Sequence, residues 1–356
     1  MGPHRSGGPP CRSEPRFAPA GLATGIGSLP LVDPRAAVDL IIAHVPEIPF
    51  WPQLPRRSPL EGMVPQFLEG FPADGNLRVP GPARAAQALE GFYGAVLAED
   101  PEAFGLSRDR APGFYALEEA LVHRPPPELR YVKAHVTGPV TLCSSLKEPS
   151  GREVLHDEGF REAVALLAAR KALWQARRLG RLGVPVILFL DEPVMEVYGS
   201  AYSSLSRDLV LELWRPTFEV LAGEDVLVGI HCCGNTDWGL LFECGAHIVN
   251  FDAYHFLEKM LLYPAEASAF LERGGGIAWG IVPTTEEAGR VTPEDLVRRL
   301  DDAMARFTAA GVDPDALRTG CLVTPSCGMG SLEPELAERI LGLLREVSRR
   351  VRGLEG

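Results

Sequence analysis

Val184-Pro-Val-Ile-Leu-Phe-Leu-Asp191-Glu192-Pro193 reads as a β-strand that is apolar along its whole length and stops on two acids and a proline. Continuous apolar strands of this kind are buried on both faces, as in parallel sheets crossed over by helices. The next strand has the same character. Val226-Leu-Val-Gly-Ile-His231-Cys232-Cys233-Gly-Asn235 opens as an apolar run and delivers an imidazole and two thiols into a glycine turn. Residues i and i+2 of a strand face the same way. His231 and Cys233 can therefore reach one metal ion together while Cys232 points away, and a local bend would exchange the roles of the two cysteines.

Working outward, further strands are expected at residues 21–30, 47–54, 129–141, 247–253, 275–283 and 318–330. Helical periodicity fills the intervals at about residues 34–43, 157–181, 206–222, 238–244, 257–273, 293–310 and 333–351. Prolines bracket the second strand and keep it short. Residues 56–127 form a long insertion with helical stretches. Strand then helix, eight times over, predicts an α/β fold: a (β/α)8 TIM barrel with a helical insertion after the second strand. One barrel domain is expected over residues 21–356, behind a disordered tail at residues 1–20 that is rich in Gly, Pro and Arg. A chain of 356 residues suits one such barrel.

Composition narrows the function. A net charge of −12 offers no electrostatic case for nucleic acid. No apolar run is long enough to span a membrane, and the first residues lack the apolar stretch of a signal peptide. Met1-Gly2 fits the myristoylation pattern only loosely. Seven cysteines, an odd number, point to a reducing compartment such as the cytoplasm, where thiols serve as ligands or core residues.

Ser28, Asp191, His231, Cys233, Asp252 and Cys327 each follow an apolar strand. In a barrel those ends share one rim, where active sites sit. His231, Cys233, Asp252 and Cys327 together offer one nitrogen, two sulfurs and a carboxylate, a donor set that selects zinc over magnesium or calcium. Cys143, Cys244 and Cys321 lie off the set and read as core, and Cys11 lies in the tail. Two thiolates make zinc a poor activator of water and a good binder of another thiol, which loses its proton there and becomes a nucleophile. Asp252 is the labile ligand that could leave to make room. Alkyl transfer to a thiol is the chemistry this suggests.

Asp191 and Glu192 suit an ammonium group, with a helix cap or a salt bridge as the plain alternative. The backbone amides of Ile26, Gly27 and Ser28 suit a carboxylate, with a tight turn as theirs. Together with a thiol-binding zinc, Asp191 and the Ile26–Ser28 amides would grip an amino acid carrying a thiol, such as homocysteine.

Five stretches carry a family resemblance: Thr24-Gly-Ile-Gly-Ser28, Thr137-Gly-Pro-Val-Thr141, Leu190-Asp-Glu-Pro193, His231-Cys-Cys233 and Thr324-Pro-Ser-Cys-Gly-Met-Gly330. They span nearly the whole chain. The sequence resembles the C-terminal catalytic barrel of cobalamin-independent methionine synthase, within the superfamily that includes uroporphyrinogen decarboxylase and the zinc methylcobamide:thiol methyltransferases. The resemblance implies zinc on His231, Cys233 and Cys327, with Asp252 where the family has glutamate. It also implies Asp191 on the homocysteine amine and backbone contacts from Ile26 to Ser28. The expected partners are a small thiol and a methyl donor, either methyltetrahydrofolate or a corrinoid, the latter free or on a corrinoid protein.

Three features depart from the family. Its additional N-terminal barrel has no counterpart in this sequence. Arg56-Arg57, with Glu61 nearby, stands where the family has a homocysteine-binding glutamate. Val282 stands where it has a histidine resembling the proton donor to the folate leaving group. A methylcobamide leaves without needing a proton, so Val282 suits a corrinoid donor. Two other readings are a uroporphyrinogen-decarboxylase-like lyase, which has no use for the zinc set, and a non-catalytic zinc-binding barrel.

Overall fold

The computed structural model describes residues 17–201 and 203–354. Most of the expected tail, including Met1-Gly2 and Cys11, lies outside the described residues. Among the described residues, seven strands form one parallel sheet: β1 Leu22–Ala23, β2 Val132–Thr137, β3 Val186–Asp191, β4 Val226–Cys232, β5 Ile248–Phe251, β6 Gly276–Val282 and β7 Cys321–Pro325. Their order is β1-β7-β6-β5-β4-β3-β2, which leaves β1 and β2 at the two edges. The result is an α/β fold with a curled parallel sheet, compatible with a TIM-like barrel.

The second expected strand, at residues 47–54, is reduced to two isolated parallel bridges, Phe50 with Lys133 and Ser28 with Gln53. On the β2 side Lys133 N donates to Pro49 O at 2.8 Å and Trp51 N to Lys133 O at 3.3 Å. On the β1 side Gln53 N donates to Gly27 O at 3.1 Å and Leu29 N to Gln53 O at 2.9 Å. In a regular strand residues 51 and 53 would bond to the same neighbour. Here they bond to opposite neighbours, and between them Pro52 has no N–H to give. The prolines therefore explain why this segment bridges both edges without forming a ladder.

The third expected strand also ends early. Gly138-Pro139 stops β2 and starts the helix Pro139–Ser145, with proline in its first turn. Other helices match their sequence signals closely. Asp157 accepts from Phe160 N at 3.0 Å and caps Glu158–Gly180. Thr292 and Asp295 form a reciprocal capping box on Pro293–Ala309. Between residue 53 and β2 the chain forms the helices Met63–Phe67, Pro82–Leu97 and Pro112–His123. No helix among the described residues is long and apolar enough to cross a membrane.

Alternation along the strands divides the core in two. Val186, Leu188 and Leu190 of β3 pack outward under the helices. Ile187 and Phe189 pack inward with Leu22, Ile48, Ile248, Ala278 and Leu322, and Phe17 joins them. Gly229 of β4 makes room for Phe189, since a Cβ there would stand 2.5 Å from its ring. The inward face is thus apolar at its base. Farther along, at the C-terminal strand ends, the same face turns polar: Asp191, His231 and Asn250 occupy the inward positions.

Candidate metal centre

His231 lies in register with Asp191 on β3 and with Asn250 on β5. Cys232 takes the outward position, fully buried in the helix-side core, with its thiol on Gly234 O at 3.6 Å. Cys233 follows the end of β4 and Cys327 lies two residues beyond β7. One ligand atom from each of His231, Cys233 and Cys327 lies within 4.8 Å of the other two. Tetrahedral zinc, with bonds of about 2.1–2.3 Å, needs its donors within about 4 Å of one another. The trio therefore needs only a small contraction to hold the ion.

Asn250 decides which imidazole nitrogen faces that space. Its Nδ2 donates to Ala278 O and to Thr324 Oγ1, both at 2.8 Å. Its Oδ1 is left to accept, and His231 Nδ1 stands 2.5 Å away. The proton thus sits on Nδ1, and Nε2 keeps its lone pair for a metal. The two sulfurs are coupled as donor and acceptor. The hydrogen bond from Cys233 pulls the Cys327 thiol below its usual range, and the same bond holds Cys233 above it. Burial disfavours a charged His231, but Cys233, Asp191 and Asn250 outweigh it and raise its pKa. A site that raises the pKa of its imidazole favours positive charge, which a cation supplies in place of the proton.

Asp252, the expected fourth ligand, does not join the trio. It caps the helix Ala253–Met260, with Oδ1 on His255 N at 2.9 Å and Oδ2 on His255 Nδ1 at 2.7 Å. Its charge opposes, without reversing, the lowering of the Cys327 thiol's pKa. His255 Nε2 meets Glu287 Oε2 at 3.1 Å. Burial works against protonation of His255, but the two carboxylates outweigh it and raise its pKa.

The adjacent acids Asp191 and Glu192 part ways. Glu192 points under the helices and accepts from Val140 N, Thr141 N, Thr141 Oγ1 and Trp214 Nε1 at 2.7–3.0 Å. It ties two helices to the end of β3. Asp191 faces the strand-end mouth, nearly buried, and its Oδ1 has no hydrogen-bond partner. Burial raises its pKa, partly offset by Lys133 and His231.

The loop at Ile26, Gly27 and Ser28 is held by its carbonyls. Ile26 O accepts from Lys133 Nζ, Gly27 O from Gln53 N, and Ser28 O from Met329 N. Ser28 Oγ also accepts from Gly330 N at 3.1 Å, so this loop packs on the one that carries Cys327. Ile26–Ser28, Asp191 and the trio thus converge on one end of the sheet.

Sequence reasoning passed over Asn250, Thr324, Lys133 and His135. Lys133 is fully buried on β2, its Nζ 4.5 Å from the Phe189 ring centroid, and burial lowers its pKa to about 8. His135 stacks on Trp51 at 3.9 Å, and neither ring nitrogen has a partner. A Cβ on Gly27 would stand 2.7 Å from its ring, so glycine is needed there. The strand period could have found these residues: 133 and 135 share a face with Thr137, and 250 with Asp252. At Val282 the same parity fails. A bulge between Gly280 and Val282 shifts the register, and Val282 is buried in the helix-side core. Beyond it, Thr284 bonds to Ser326 Oγ through its amide at 3.1 Å and its hydroxyl at 2.9 Å.

No family model matches the chain, and no curated protein matches it. Solved structures do. A methyltransferase from Methanosarcina mazei matches at 12% identity with a TM-score of 0.51, over 93% of this chain and 97% of that one. A B12-independent methionine synthase from Shewanella sp. W3-18-1, in complex with selenomethionine, matches at 19% identity with a TM-score of 0.46. That match covers 67% of this chain and 66% of the Shewanella chain. The chain shares its fold with the Methanosarcina protein.

Proposed function

We propose that this protein is a zinc-dependent methyltransferase that moves a methyl group onto a thiol, with homocysteine as acceptor and methionine as product. The observation that supports it most is the trio of His231, Cys233 and Cys327 around one point, with Asn250 setting the imidazole tautomer. These three residues hold the ion, and the donor set of one nitrogen and two sulfurs fits zinc. Bound zinc supplies the positive charge that keeps a substrate thiol as thiolate at neutral pH. Asp191 receives the substrate ammonium, which would satisfy its unpartnered Oδ1. The amides of Ile26, Gly27 and Ser28 receive the substrate carboxylate. The thiol proton leaves on binding. The sulfur then forms the new S–CH3 bond as the donor–CH3 bond breaks, its electron pair staying with the donor.

These residues sit on a single (β/α)8 barrel domain over residues 21–356, in which the bridges at Phe50 and Gln53 stand in for an eighth strand. Thiol ligands suit a reducing compartment, and we place the protein in the cytoplasm. A corrinoid methyl donor, free or carried by a protein, is the second reading for the donor. Val282 is apolar and turned into the core, and the Thr284–Ser326 hydroxyls beyond it bond to each other. A folate leaving group needs a proton; a corrinoid does not. A lyase of the uroporphyrinogen decarboxylase kind would leave the trio without a role.

Zinc content of protein purified without added metal, followed by methionine formation with methyltetrahydrofolate and methylcobalamin side by side, tests the proposal. One equivalent of zinc and turnover with at least one donor are expected. Less than about half an equivalent, or no methionine with either donor, would sink it.

A further inference from the structure

Asp252 is bound through both carboxylate oxygens, and both bonds run to His255. The backbone amide of His255 would hold Oδ1 whatever its side chain, as any helix cap does. The ring bond at Oδ2 is the additional one. The ring is held in turn from the far side: Nε2 meets Glu287 Oε2 at 3.1 Å, and Thr285 Oγ1 donates to the same oxygen at 3.0 Å. Two loops, after β5 and after β6, thus fix the orientation of a half-exposed imidazole. Meanwhile Asp252 is buried and directly follows Phe251, the register partner of Cys232, which sets it beside Cys233 on the face that carries Asn250.

We propose that His255 is a positioning residue that draws the Asp252 carboxylate away from the His231–Cys233–Cys327 centre and so keeps its fourth ligand position open for a substrate thiol. The inference rests on the metal reading above. Oδ2 has two alternative partners, the His255 ring or the metal. With His255 holding it, the protein supplies three ligands and the fourth place belongs to the incoming sulfur. Without that hold, the carboxylate competes with the substrate. A carboxylate held only by its Oδ1 cap has Oδ2 free to take another partner. Glu287 takes part at one remove, by keeping the ring pointed at Asp252.

This gives an outcome opposite in sign to that of an ordinary outer-shell partner, whose loss weakens metal binding about 10–100-fold. His255→Phe should bind zinc about tenfold tighter than wild type and the homocysteine thiol correspondingly weaker. Zinc affinity is read by chelator competition. Thiol binding is read from the change that homocysteine makes in the absorption of cobalt-substituted protein. Glu287→Gln should shift both in the same directions by a smaller factor, and it keeps the test alive if His255→Phe fails to fold. In the Asp252→Asn background, His255→Phe should change neither. Zinc affinity that is unchanged or weaker in both His255→Phe and Glu287→Gln overturns the tether, as does a shift that survives in the Asp252→Asn background. If wild-type protein itself takes up no zinc, the metal reading fails, which is a separate and recognisable result.

Discussion

The two sides of the strand-end mouth differ in how completely the protein satisfies them. On the side of β4, β5 and β7, His231 Nδ1, both ends of the Asn250 amide and Thr324 Oγ1 are all hydrogen-bonded, and the two free thiols lie beside each other and the imidazole. On the side of β2 and β3, Asp191 Oδ1 and both nitrogens of His135 are buried with no partner. Buried polar atoms nearly always have partners, so the second side is incomplete by itself and the first lacks only a cation. One side is preorganised by the fold; the other is built around something that arrives. If that contrast is correct, metal binding and substrate binding can be damaged separately.

The largest expected effect falls on the metal side. Cys327→Ser should weaken zinc binding at least about a hundredfold, because a structural zinc site is worth about 10–16 kcal/mol over four ligands and one ligand carries a few kcal/mol of it. Methionine formation should fall below detection. Chelator competition measures the first and product analysis the second. Wild-type zinc affinity in this variant would break the contrast at its root.

Asp191→Asn probes the other side. Hydrogen bonds to charged groups are worth about 1.5–3 kcal/mol, so KM for homocysteine should rise by about 10–100-fold. Zinc affinity should stay within about twofold of wild type, a difference inside ordinary surface-variant effects. Parallel loss of zinc in the same variant would mean that Asp191 serves the metal, and the two sides would merge into one.

Asn250→Leu sharpens the metal side. It removes the acceptor that places the imidazole proton on Nδ1, and zinc affinity should drop about tenfold, as for other outer-shell partners. At saturating zinc, KM for homocysteine should return to the wild-type value. A raised KM that excess zinc does not correct would assign Asn250 to the substrate instead.

The contrast also explains what could be read from sequence. The metal side announces itself because His231, Cys233 and Cys327 are rare, reactive types at strand ends. Asn250 and Thr324 are ordinary types, visible only once strand parity is followed residue by residue. The strand ladder was legible where apolar runs were unbroken, as in β3 and β4. It was not at residues 47–54, where Pro49 and Pro52 remove donors, nor at Val282, where the bulge in β6 defeats the count. Asp252 was read as a ligand from its strand end and from the family resemblance. That it also caps a helix and meets His255 depends on a side-chain rotation that sequence does not encode. Asp191 and Glu192 read as one acidic pair, yet the strand's alternation sends one to the mouth and the other under the helices.

Glu192 supplies the smallest effect, and it tests the division from the structural side. It is fully buried, and burial raises its pKa from 4.5 to about 7, against the four donors that favour its charged form. A carboxyl group whose pKa is higher folded than unfolded stabilises the fold fully below the unfolded value. That contribution is lost as pH climbs through the folded value, here across the window from 4.5 to about 7. Glu192→Gln cannot titrate, so the difference in unfolding free energy between wild type and variant should drift with pH across that window and flatten above it. Denaturant melts at intervals from pH 4.5 to pH 8 measure that difference. The difference should move in the variant's favour as pH rises, because the wild type loses the stability of its neutral carboxyl while the amide has no charge to bury. Zinc affinity and KM should both remain near wild type. A pH-independent difference would mean that Glu192 stays charged throughout, held by its four donors against burial, and the acid beneath the helices would then be a fixed anion.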